Sequence, residues 1–157
     1  MTRTIGGAPP IPMALAPIRF DPEHALELVL YVASQLRYPT LHYVSKVLYF
    51  ADREHLSRYG SLLSGDSYHA MQHGPVPSGI YNLIKAAAGR QEPLIPPQFY
   101  DLVVRSLRVE GKHRVTPLRQ ANLDLLSASQ RECLDASIKA NGRLSFERLT
   151  RKSHDAA

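Results

Sequence analysis

His69 and His73 stand four residues apart, the spacing at which two imidazoles on one helical face grip a single metal ion. Their setting does not suit that chemistry. Ser67 to Met71 alternate in character around a tyrosine and read as a short strand. On a strand, residues i and i+4 share a face but lie far apart. No cysteine accompanies the pair, so the ligand set is incomplete and neither a metal nor another cofactor is expected. Hydrolysis would need a nucleophile held by a base. Ser64 and Ser78, with His73, qualify by type alone. No G-x-S-x-G elbow, phosphate-binding loop or dinucleotide fingerprint supports them. The chain is therefore not expected to be an enzyme. A tight pocket joining His69, His73 and Asp66 would argue the other way.

Asp52 is the acid most out of place. Helical spacing projects it between Leu48 and Leu56, at the edge of an apolar arc. A carboxylate there needs partners, because burying it unpaired is costly. It serves either as a hydrogen-bonded anchor for a neighbouring loop or as a contact or catalytic acid, and the anchor is the preferred reading. Free backbone donors near Val76 to Gly79, at the start of a helix, would suit an anion. Asp52 or Asp66 could fill that role from within the chain. Both acids would then tie the strand, the Gly74-Pro75-Val76-Pro77 turn and the preceding helix together.

The elements that must position these residues are mostly helical. Asp21 caps a first helix, with Pro22 at its first position, that runs to about Arg37. Its apolar face holds Leu26, Val29, Ala33 and Leu36. Thr40 caps a second helix that runs to Tyr59 and stops at Gly60. Its arc of Leu41, Val44, Val47, Leu48, Phe50 and Ala51 is wide enough for a central helix. The opposite strip of His42, Lys46, Arg53 and Ser57 reads as a solvated face. Ser64-Gly65-Asp66 makes a turn before the short strand. Gly74 to Pro77 reads as a stiff connection whose Pro77 opens a third helix, buried through Ile80, Leu83, Ile84 and Ala87. The proline-rich residues 90–98 read as an exposed loop. Arg105 to Glu110 and Lys112 to Thr116 read as two strands joined around Gly111. Ser127 and Gln130 form a capping-box signature for a helix that ends before Gly142. Ser145 caps a last short helix bearing Phe146 and Leu149.

The 157 residues fit one domain with its own core. Residues 1–19, rich in Pro, Gly and Ala, are read as a mobile tail, and residues 20–157 as the domain. A hydrophobic content of 44% and a charged content of 21% are ordinary for a soluble protein. No apolar run is long enough to span a bilayer, so no membrane partner is expected. Pro9, Pro10 and Pro12 interrupt the apolar helix that a signal peptide needs. The single cysteine, Cys133, sits in a helical pattern as a small core residue, and the cytoplasm is the expected compartment. The net charge of +5 comes without a dense basic run and reads as a solvated surface. A DNA-binding regulator is the alternative, because the first two helices resemble a helix-turn-helix. Against it, a recognition helix carries its base-reading side chains near its N-terminus, where Leu41 and Tyr43 flank His42.

The blocks KVLYFADREHL, SGDSYHAM and HGPVPSGIYNLI resemble the signature of the SocA-like antitoxin family, the Panacea domain. Lys46 to Asp52, then Gly65, Asp66, Tyr68 and Ala70, then Gly74 to Pro77 follow its order and spacing. The likeness weakens after Ala88 and returns at Leu126-Ser127 and at Leu149 to His154. Ser64 stands where threonine is usual. Members commonly continue into a final helix with a tryptophan, whereas this chain has none and ends at Ala157. The resemblance implies a mainly α, α+β fold: a compact bundle of five to six helices with a small antiparallel sheet or hairpin. It implies a bacterial or phage-associated protein that neutralises a cognate protein toxin by direct binding. Delivery of the toxin to a protease such as ClpXP is a further implied partnership. The residues it brings forward, as scaffold or toxin-binding candidates, are Lys46, Tyr49, Asp52, Gly65, Asp66, Tyr68, His73, Gly74, Pro75, Val76, Pro77 and Tyr81.

Overall fold

The computed structural model describes residues 20–90, 95–111 and 113–156. The tail assigned to residues 1–19 and residues 91–94 of the expected 90–98 loop lie outside that range. Among the described residues there are six helices and two antiparallel two-stranded sheets, so the fold is mainly α with a small β component. The helices are α1 (Pro22–Gln35), α2 (Leu41–Tyr59), α3 (Ser78–Ala87), α4 (Pro97–Ser106), α5 (Ala128–Asn141) and α6 (Phe146–Ala156). Strands β1 (Tyr68–Met71) and β2 (Gly74–Pro77) form one hairpin; β3 (Leu107–Glu110) and β4 (Arg114–Pro117) form the other. None of the described helices is long and apolar enough to cross a membrane.

Local chemistry sets most helix ends. The Asp21 carboxylate accepts from the Glu23 amide at 3.0 Å, and Pro22 needs no donor there. Thr40 Oγ1 accepts from Tyr43 N, and at the far end of α2 the Gly60 amide donates to Leu56 O at 3.0 Å. Ser127 and Gln130 make the reciprocal capping box of α5. Ser145 Oγ accepts from Arg148 N at the start of α6.

Helix α1 is buried nearly all round rather than on one face: Ala25, Leu28, Leu30 and Val32 join Leu26 and Val29 in the core. It ends at Gln35, two residues before the expected Arg37. Its one buried acid, Glu27, accepts from both terminal nitrogens of Arg119 at 3.0 and 2.7 Å, and from the Asn122 amide at 2.7 Å. Burial alone would raise its pKa, but these partners together hold it below the ordinary glutamate value. Helix α2 runs through the centre, packed on α5 with α1 and α3 beside it. Ser137 Oγ on α5 donates to Val47 O at 2.7 Å. Cys133 lies fully buried in the same layer.

Three expectations are corrected. Gly74 to Pro77 is not a connection but strand β2, with Tyr68 opposite Pro77 and Met71 opposite Gly74. Proline is tolerated there because, among the described residues, each strand pairs along one edge only. Helix α3 consequently starts at Ser78, with Pro77 as its cap residue. The proline-rich stretch opens helix α4 at Pro97, which takes in Arg105, and Ile95 ahead of it is buried. Proline at a first helical turn is favourable, so the signal read as a loop was a helix start. Finally, Leu56 is 49% exposed, so the apolar arc of α2 does not reach it.

Candidate functional site

The residues from Lys46 to Tyr81 assemble where the β1–β2 hairpin crosses α2. Asp52, 1% exposed, is the hub on the helix side. Its Oδ1 accepts from Ser64 N at 2.7 Å and its Oδ2 from Ser64 Oγ at 2.6 Å. Oδ2 also accepts from the Tyr68 hydroxyl on β1. Burial raises the Asp52 pKa above the ordinary range, and the bonds from Ser64 and Tyr68 pull it back only in part. The Tyr68 phenol is held well above its usual value by burial and then by the Asp52 charge beside it. Tyr49, one turn before Asp52, meets the Tyr68 ring edge-on at 5.3 Å between centroids.

Asp66 anchors the other end of the hairpin. Its Oδ1 accepts from Gly79 N and Ser67 N, both at 2.8 Å, and its Oδ2 from Ile80 N at 2.9 Å. The first-turn donors of α3 are thus satisfied by an internal carboxylate, which also interacts favourably with the helix dipole. Gly65 precedes it with φ +67°, a left-handed backbone that glycine adopts without strain.

Lys46 holds the tip side. It is 1% exposed, and its Nζ donates to Pro75 O on β2 at 2.8 Å. Burial lowers its pKa to about 8. Gly74 lies against it with φ +102°. A Cβ at that position would stand 2.5 Å from Ser153 Oγ and 2.9 Å from Lys46 Nζ, so only glycine lets β2 approach α2 and α6 this closely. Ser153, fully buried on α6, lies in the Leu149 to His154 stretch where the family likeness returns.

The strip of α2 read as solvated is covered only in its first half, whereas Arg53 and Ser57 stay exposed. Lys46 is buried under β2, His42 stacks on Phe146 of α6 at 4.1 Å, and Arg53 donates to Ala156 O. The hairpin and α6, both distant in sequence, close over Lys46 and His42.

A family model of the antitoxin SocA-like, Panacea domain matches residues 44–157. The chain belongs to that family. No curated protein and no solved structure matches it. The matched Panacea span begins inside α2 and contains every residue of the hub, while α1 precedes it and supplies core.

In this Panacea domain the candidate residues divide by position. Asp52, Asp66, Tyr68, Lys46, Tyr49, Gly74, Pro75 and Pro77 are turned inward or locked against α2, whereas the hairpin tip, Met71, Gln72 and His73, is exposed. The hairpin forms a ridge between two recesses. One, of about 810 Å³, includes Phe20, Asp66, His69, Met71, Val76 and Tyr81 in its wall. The other, of about 530 Å³, includes His42, Ser45, Lys46, His73, Val76, Tyr81 and Phe146. Val76 and Tyr81 thus serve both sides, and Lys85 Nζ rests 4.8 Å over the Tyr81 ring. His69 and His73 line different recesses, and Asp66 is committed to α3, so these three do not form one pocket. Among the described residues no group of three or more His, Cys, Asp or Glu side chains could hold a metal ion. Sequence reasoning missed Ser45, buried in the wall of the second recess, and the His42–Phe146 stack, whose two rings lie far apart along the chain.

Proposed function

We propose that the chain is an antitoxin-type binding module that neutralises a cognate protein toxin by stoichiometric occlusion, without catalysis. One observation supports this reading most. The family's polar residues make their hydrogen bonds inside the molecule, and they hold a short ridge outward between two recesses. A protein partner can grip such a rigid relief with little ordering cost. On this reading Asp52, Asp66, Tyr68 and Gly74 preserve the surface, and Met71, Gln72 and His73 meet the toxin. The protein is taken as bacterial or phage-borne, with residues 20–157 acting as one unit. Handing the bound toxin to a protease such as ClpXP is a second step of the same proposal.

The test is co-expression of the tagged chain with the genes on either side of its own, followed by pull-down. A neighbour that is toxic alone, harmless with this chain and recovered in complex with it supports the reading. Met71→Arg should then lose neutralisation at unchanged melting temperature, whereas Asp52→Ala should lower both together. If no neighbour binds or is toxic, and the chain instead selects its own promoter DNA, the reading fails. Binding to that DNA would weaken steeply with salt, because phosphate contacts release counterions. Protease delivery requires the toxin's half-life to shorten only when chain and protease are both present.

A further inference from the structure

The recess on the α2 side of the hairpin encloses about 530 Å³, within the roughly 300–1,000 Å³ typical of small-molecule sites. Two buried donors in its wall have capacity to spare. Ser45 is 1% exposed, and its hydroxyl has no hydrogen-bond partner among the described residues. Buried polar atoms in folded proteins are nearly always paired, so this one is an anomaly with a location. Lys46 is equally buried and donates to Pro75 O, which leaves two of its three ammonium hydrogens for another acceptor. The described ion pairs do not include it.

The rest of the wall says what would complement them. Among the described residues, no Asp or Glu lines the recess. His42 and Phe146 stack with planes 28° apart, and His73 stands edge-on to Phe146 at 5.1 Å, giving a flat aromatic side. Burial, followed by the charges of Lys46 and His73, lowers the His42 pKa to about 4, so His42 is neutral at pH 7. A buried ammonium without an acid nearby is stabilised by an anion. One ammonium and one hydroxyl match the two oxygens of a carboxylate, whereas a phosphate would call for more donors.

We infer that this recess binds a carboxylate carried on a flat apolar group, with Lys46 Nζ and Ser45 Oγ donating to its oxygens and the His42–Phe146 stack beside the ring. The inference does not rest on the antitoxin reading. The carboxylate could belong to a free aromatic acid or to the C-terminal aromatic residue of a peptide, which present the same chemistry.

The test is NMR titration of the full chain at pH 7 with sodium benzoate, using benzamide as the neutral isostere and sodium phosphate as the anion control. Benzoate should shift the Ser45 amide and the His42 and His73 ring signals saturably at millimolar concentration. Benzamide and phosphate should bind at least about tenfold more weakly, the scale of a lost charged hydrogen bond. Ser45→Ala should weaken benzoate by about tenfold as well, and Lys46→Met should abolish binding. N-acetylphenylalanine and its amide form the second arm. If the acid outbinds benzoate and the amide does not bind, the source is a chain end; if only benzoate binds, it is a free acid. Absence of saturable shifts with both acids, or equal binding of benzoate and benzamide, overturns the inference without requiring either variant to fold.

Discussion

Replacing Asp66 by alanine should be among the most damaging single changes in this chain. The carboxylate accepts three backbone N–H bonds at 2.8 to 2.9 Å, two of them from the first turn of α3. Losing an N-cap acceptor costs about 0.5–2 kcal/mol. A buried donor left unpaired costs about 1–3 kcal/mol. The Ile80 amide belongs to a fully buried residue, so water cannot easily replace the carboxylate there, whereas Ser67 is exposed and can be rehydrated. The contributions overlap, which puts the expected loss at about 2–4 kcal/mol. For a chain of this length that corresponds to a fall of about 5–15 °C in melting temperature. Asp66→Asn keeps one acceptor oxygen and should lose about half as much. Thermal and urea unfolding measure the energy, and amide exchange at Gly79 and Ile80 locates it. If Asp66→Ala melts within about 1 °C of the parent, the capping argument is wrong. It is equally wrong if those two amides keep their protection.

Gly74→Ala combines a φ of +102° with a Cβ 2.5 Å from Ser153 Oγ, and should cost about 2 kcal/mol or more, read from the urea midpoint. Lys46 has its pKa lowered from 10.5 to about 8, so between these values the unfolded chain binds more protons and folding gains stability as pH rises. The stability difference between the parent and Lys46→Met should therefore change by on the order of 2 kcal/mol, in the parent's favour, from pH 8 to 10.5, measured by guanidinium unfolding. His42, lowered from 6.5 to about 4, stays neutral when folded while the unfolded chain takes up its proton. Stability should thus fall across that window as pH drops, and the His42 ring signal in NMR should hold its neutral shift until about pH 4.

Caps and stops in this chain act over three or four residues, so Asp21, Thr40, Gly60, Ser127 with Gln130, and Ser145 marked their helix ends directly in the sequence. The spacing of Lys46, Asp52, Asp66, Tyr68 and Gly74 to Pro77 likewise carried the family likeness, and helical period placed Asp52 at an apolar edge where it needed partners. The choice among partners was not local. Ser64 and Tyr68 reach Asp52 only because the hairpin folds back over α2, and Asp66 reaches α3 only because β2 returns to it. The same closure buried Lys46 and stacked Phe146 on His42, both of which hydropathy alone placed on a solvated strip. Helix α4 was obscured because Pro96 and Pro97 signal a loop and a helix start equally well. Sequence by itself determined a mainly helical chain, most of its helix caps and its family pattern, because those depend on neighbouring residues. Tertiary structure decided which polar side chains are covered and which recess they face, because burial depends on the segment that packs on top.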